Sequence, residues 1–380
     1  MLERYKSFLF GKAVLDELYA SSVVRHLAMS MINIFVPIYL FELGYTIPFI
    51  LLFYAVKSGF HALFSHISAK LSFKAGVRKT VLLSTPLLIA FYMILSQNLG
   101  PDFIIVAAAL LGISDAFYWI PFHIYFVKAS DYKNRGKEVG IYDALVSTAA
   151  FLGPLLGVVL FGLYGFSTVF VIVGFMIFAS IVPLFFTENT KPKEWYSLGK
   201  FNKNLMLASF GNGMRTCVEE AIWPIFVFLV LGSAAIFGYL AAFGMLVSLI
   251  VIVIASLLAD KHKKRKMLTV ASTSESVLWV VRALLSSVQQ FFVVEIVFRV
   301  AQIMRWLPFQ AMFYNRAAAS KHIVRHIVQR EIGIHLGVVT ACIIGVLIFK
   351  STGILQLLFV FGVIGSLMHI FMTRKKGWEK

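Results

Sequence analysis

Long apolar stretches, each about twenty residues and separated by short turns, succeed one another along almost the whole chain. No other feature limits the fold so strongly. A stretch of that length and polarity matches the hydrocarbon thickness of a bilayer when helical. Inside lipid every backbone polar group must be satisfied within the helix. Hydrophobic residues make up 59% of the 380 and charged ones only 14%, and the mean hydropathy is +0.85. An all-α integral membrane protein is therefore expected, with spans near 18–43, 47–69, 80–97, 102–127, 138–163, 167–187, 204–231, 234–258, 267–286, 289–315, 331–350 and 354–373. The N-terminal "MLERYKSFLFGK" has no small-residue cleavage site, so a signal peptide is not expected. Cys217 and Cys342 lie inside apolar stretches without metal-ligand spacing and read as structural thiols.

The turns alternate in charge. One set is short and almost uncharged, as in "QNLGPD", "YGFS" and "SSVQQ". The other is basic, as in "KLSFKAGVRK", "KASDYKNRGK" and "ADKHKKRK". Basic loops stay on the cytoplasmic side, so both termini and all basic loops are expected there, in a multi-pass protein of the plasma membrane. The same rule accounts for the net charge of +17 without any nucleic-acid partner.

A repeat is also legible. "PIYLF" from Pro37 matches "PIFVF" from Pro224, 224 − 37 = 187 residues later. "YWIPF" from Tyr118 matches "RWLPF" from Arg305, and "VRK" from Val77 matches "KRK" from Lys264, at that same interval. "KEVGI" from Lys137 answers "REIGI" from Arg330 at a slightly longer one. Matches in the same order imply two homologous six-helix bundles, residues 1–187 and 204–380, joined by a cytoplasmic linker over 188–203. Parallel repeats of this kind place a binding site between the halves near mid-membrane.

The loops strengthen that reading. "SLLADKHKKRK" carries Asp260, Lys261, Lys264 and Arg265 after span 8, "RGKEVG" starts at Arg135, and "GPLLG" holds Gly153, Pro154 and Gly157. This set, in these positions, resembles the major facilitator superfamily. The family marker has a glycine where Lys263 stands, and the first copy, "AKLSFKAGVRK", has Phe73 at the acidic position. The resemblance implies a gate in which Asp260, Lys264 and Arg265 latch onto the start of span 5 near Arg135. A carboxylate facing helix N–H groups and basic residues can hold such a contact. Gly153, Pro154 and Gly157 would let helices approach and bend. It also implies that spans 1, 4, 7 and 10 line the central cavity.

Ionisable residues at that depth are costly and mark function by default. Helical spacing gathers His26 and Asn33 on span 1, Asp115, Trp119 and His123 on span 4, and Arg215, Glu219, Glu220 and Trp223 on span 7. On span 10 it gathers Glu295, Arg299, Gln302 and Trp306. Arg215–Glu219 and Glu295–Arg299 are i, i+4 pairs, and Lys57 on span 2 has Asp115 as its nearest candidate partner. Substrate contact is expected from Asn33, Asp115, Trp119, His123, Arg215, Glu219, Trp223, Arg299, Gln302 and Trp306. Proton coupling is expected from Glu219 first, then Glu220, Asp115 and His26. Many proton-coupled members of that family carry an arginine in span 4, which this chain lacks.

The reading is a secondary active transporter, monomeric in the bilayer, that moves a small polar solute by alternating access with protons as coupling ion. No cofactor and no metal are expected, and no nucleophile–base pairing or metal-ligand cluster points to an enzyme. Two other readings use the same fold: a lipid scramblase or flippase, and a membrane sensor that transports nothing.

Overall fold

The computed structural model describes residues 13–129, 135–186, 189–192, 199–258, 264–320 and 322–374. Every element among them is helical. The longer ones are α1 (Ala13–Ser30), α2 (Val36–Glu42), α3 (Ile47–Ala75), α4 (Val77–Gln97), α5 (Pro101–Ala129), α6 (Arg135–Ala179) and α7 (Lys203–Cys217). They continue with α8 (Trp223–Leu231), α9 (Ala234–Leu258), α10 (Lys264–Arg282), α11 (Val288–Ala319), α12 (Ile323–Thr352) and α13 (Val360–Met368).

Local chemistry sets the boundaries. The Thr46 side chain accepts from the Phe49 N–H at the start of α3, with Pro48 in the first turn where a missing N–H costs nothing. Ser287 and Gln290 form a reciprocal capping box at the start of α11. Within the long α6, Gly165 adopts φ 77°, ψ 162°, which folds the chain back in the middle of an apolar run; only glycine enters that region without steric cost.

Two helical runs are broken at equivalent places. Between α1 and α2 the chain passes through a turn and a 3-10 segment, Asn33–Phe35, just before Pro37. Between α7 and α8 it widens into a π segment, Val218–Ile222, just before Pro224. Each proline lacks the N–H that would bond to the carbonyl four residues back, and its ring crowds that carbonyl, so the preceding turn must tighten or widen. The two breaks are one repeat interval apart.

Helix α3 packs on α5 and on α12, α12 on α7, α6 on α1 and α9, and α11 on α9 and α10. The α3–α12 and α6–α9 contacts join early to late parts of the chain. Large apolar side chains such as Leu63, Phe175 and Leu284 face outward, as a lipid-facing surface requires. Among the described residues, eight helical stretches are long and apolar enough to cross a membrane. The stretches around α7–α8, α10 and α11 are more polar. Among their charges, Arg215, Glu275, Arg282, Glu295, Arg299 and Arg305 are buried.

Candidate functional site

Among the described residues, an upper and a lower cavity, taken in that order, lie within the helical bundle. One, of about 370 Å³, is bordered by Asn33 from the first break, Glu219 and Glu220 from the second, Trp223, and Glu295 with Arg299 from α11. The other, of about 350 Å³, is bordered by His61, His123, Trp306, Tyr314, Glu331 and His335. His26, Lys57, Asp115, Trp119 and Glu220 border both, so they form the wall between them. That wall is an ion cluster. Lys57 Nζ lies 2.9 Å from Glu220 Oε2 and 4.0 Å from Asp115 Oδ2. The nearer partner of Lys57 is therefore Glu220, 163 residues away along the chain, rather than the Asp115 that the sequence suggested.

The upper cavity rests against a continuous ionic chain in which arginines and glutamates alternate: Arg282, Glu295, Arg299, Glu219, Arg215, Glu275, Arg305. Arg299 Nε lies 2.6 Å from Glu295 Oε1 and its NH1 3.3 Å from Glu219 Oε1. Arg282 bonds to Glu295, Arg215 to Glu219, and Arg305 to Glu275. The Gln302 amide donates to Glu219 at 2.8 Å and accepts from Arg299 at 2.8 Å. Alternation lets each buried charge sit between opposites, which is what keeps such groups tolerable in low dielectric. Four arginines against three glutamates leave one positive charge in excess, and the chain meets the cavity at Glu219, Glu295 and Arg299.

The residues singled out from sequence fall in distinct places. Asn33 borders the upper cavity and accepts from the Tyr92 hydroxyl at 2.7 Å. Trp119 borders both cavities and lies parallel to the His123 ring at 5.5 Å, while Trp306 borders only the lower one. His123 is held between Tyr314 OH at 2.8 Å and Arg330 NH1 at 3.2 Å, and His26 Nδ1 lies 2.7 Å from the Ser22 carbonyl. Arg215 and Gln302 border neither cavity; they grip Glu219 from behind.

Among the gate residues, Gly153 and Gly157 press α6 onto the first break. A Cβ at Gly153 would stand 1.9 Å from Ser30 Oγ, and one at Gly157 2.0 Å from the Met31 carbonyl. Pro154 sits between them inside α6. Lys264 and Arg265 open α10. Asp260 lies outside the described residues, and of Arg135 only the helical backbone is described.

With this geometry, comparison with known proteins is decisive for the family. The model of the Major Facilitator Superfamily matches residues 18–231. The chain belongs to the major facilitator superfamily. A crystal structure of a variant of the E. coli fucose:proton symporter shares the fold, with a TM-score of 0.67 at 11% identity over 95% of this chain and 98% of that one. The uncharacterized protein YqgE of Bacillus subtilis is 25% identical over 194 residues; the match spans 47% of this chain and 45% of YqgE, under half the length of that relative.

The sequence reading missed one part of this superfamily member's interior. His61, Glu331 and His335 come together across the α3–α12 contact. Span 11 was expected to begin at residue 331, which left Glu331 at a helix end. In the structure α12 begins at Ile323, which carries Glu331 and His335 into the bundle. The E-x-x-x-H spacing, with His61 one turn after Lys57, was the available signal.

Proposed function

We propose that the protein is a secondary active transporter that carries a small polar solute across the membrane by alternating access, with protons as the coupling ion. The observation that supports this most is the 370 Å³ cavity, whose polar border comes from both homologous halves and meets at two broken helices. Broken helices at such a site free backbone groups for a ligand. The halves are residues 1–187 and 204–380, twelve spans in all, with the linker, basic loops and both termini on the cytoplasmic side of the plasma membrane. The protein acts as a monomer.

In this reading the solute sits between Asn33, Trp119, Trp223 and Arg299. The surplus positive charge of the ionic chain favours an anionic or zwitterionic group there. An anion that engages Arg299 competes with Glu219 for it. A released carboxylate then becomes a place for a proton, and proton binding shifts the balance between inward-open and outward-open states. Glu220 is the other candidate: its partner Lys57 lies on the opposite half, so opening either cavity alters that bridge. The fucose:proton symporter that shares the fold couples its solute to protons by name, which agrees with this choice of ion.

The test is a thermal-shift screen of polar metabolites on purified protein, followed by proteoliposomes containing a pH-sensitive dye. A solute that stabilises the protein is expected to move protons when added to one side. Glu219→Gln is expected to keep solute binding and lose its pH dependence. Solute binding and proton movement that both stay at wild-type level would remove Glu219 from the mechanism.

A further inference from the structure

We propose that His61, Glu331 and His335 form a binding site for a divalent transition-metal ion of the zinc, cobalt and nickel class. The three side chains border the lower cavity. His61 Nε2 lies 3.5 Å and His335 Nε2 3.9 Å from the same carboxylate oxygen, Glu331 Oε2, and one ligand atom from each residue falls within 4.8 Å of the others. A tetrahedral ion with bonds of about 2.0–2.1 Å holds its ligand atoms about 3.4 Å apart. The His61–Glu331 pair is already at that spacing, and His335 reaches it by turning out of its stack on the His61 ring.

Burial and unmet bonding point the same way. His61 is 1% and Glu331 4% exposed. Neither ring nitrogen of His61 has a hydrogen-bond partner, and His335 Nδ1 and Glu331 Oε1 lack one too. Buried polar atoms are nearly always satisfied, and His61 Nε2, which faces the Glu331 carboxylate, is the unmet atom that an ion would engage.

The neighbouring cations are already engaged. Lys57, one turn before His61, is occupied by Glu220 and Asp115. Arg330 lies 3.2 Å from His123 Nε2 and 3.4 Å from Glu331 Oε1.

A proton satisfies this cluster less well than a metal does. The His61 and His335 rings are stacked, 3.5 Å between centroids and 23° between planes. Face-to-face rings cannot share a proton between their nitrogens, and a proton on one leaves the other unmet. Their in-plane lone pairs run side by side in the stack, so an ion takes one from each only once the His335 ring has swung out of it. Two imidazoles and a carboxylate select borderline ions over magnesium or calcium. With three protein ligands, a fourth position stays open towards the cavity for water. His61 lies on α3 and the other two on α12, so a bound ion ties together helices from the two halves. This site stands apart from the solute reading and does not require transport.

The test is titration of detergent-purified, metal-free protein with Co²⁺, read by visible absorption, with Zn²⁺ as competitor. The expected result is the intense visible band of a four-coordinate Co²⁺ complex saturating near one equivalent and erased by Zn²⁺. His61→Gln and His335→Ala should each weaken binding at least tenfold, and Zn²⁺ should raise the melting temperature of the wild type but not of His61→Gln. His66→Ala, five residues along the same helix, should bind like the wild type. Absence of the band in folded wild-type protein overturns the proposal, as does undiminished binding in the His61 and His335 variants.

Discussion

Where α3 crosses α5, a cation faces a glycine, Lys57 against Gly112. Where α9 crosses α11, the same pair recurs as Gly244 against Arg299. The positions correspond at the repeat interval of 187, Lys57 to Gly244 and Gly112 to Arg299, but the residue types are exchanged. A Cβ at Gly112 would stand 2.0 Å from the Lys57 carbonyl oxygen, and one at Gly244 2.4 Å from Glu295 Oε1 and 2.8 Å from Arg299 Nε. Each crossing thus needs one position without a side chain and accommodates one cation, and either helix can supply either. What differs is how the cation is neutralised. Arg299 finds Glu295 one turn away and Glu219 on α7's continuation, all in the later half. Lys57 reaches across to Glu220. The Arg299 crossing is electrostatically self-contained, whereas the Lys57 crossing draws its nearest partner from a distant part of the chain.

The largest effect should come from breaking the self-contained side. Glu295 is 1% exposed and sits between Arg282 and Arg299, so Glu295→Ala leaves two buried cations short of a partner. A loss of about 3–5 kcal/mol is expected, read as a collapse of thermal stability in detergent. A melting point near wild type would show that the ionic chain has other compensation. Next come the glycines. Gly112→Ala drives a methyl into backbone and should cost about 1–3 kcal/mol. Gly244→Ala meets side-chain ends that can move and should cost less. Equal losses would contradict the idea that the two crossings are packed differently.

The smallest effect belongs to the Lys57–Glu220 bridge. The Glu220 side chain is 45% exposed, so water screens the pair and its coupling should be near 1 kcal/mol or below. A double-mutant cycle of Lys57→Met and Glu220→Gln measures it. A parallel cycle with Asp115→Asn, whose carboxylate is farther from Lys57, should give a smaller coupling. If the Asp115 cycle gives the larger value, the first half neutralises its own cation after all.

The sequence carried the frame and part of the site. The 187-residue matches at Pro37/Pro224 and Trp119/Trp306 mark positions that the structure uses alike, as helix breaks and cavity borders. Arg215–Glu219 and Glu295–Arg299 were legible because i, i+4 contacts depend on one helix alone. Lys57–Glu220 was not, because it depends on how two helices from different halves are rotated towards each other. The π segment at Val218–Ile222 was also hidden: it changes the angle between Glu219 and Glu220 from that of an ideal helix, and only Pro224 hinted at it. The His61–Glu331–His335 group was missed because hydropathy started span 11 too late, at Glu331, past Arg325 and Arg330 in the first turns of α12.

Alternating access between two halves is tested most directly by distances at the two ends of the bundle. Spin labels at Gln97 and Leu284 report one end, and labels at Lys79 and Lys266 the other. All four residues are exposed, and each pair joins equivalent positions of the repeat. The native Cys217 and Cys342 are buried and should stay unlabelled. Adding a stabilising solute, or changing pH, should lengthen one distance while shortening the other. Distances that stay fixed, or that lengthen together, under conditions where the solute binds would contradict alternating access.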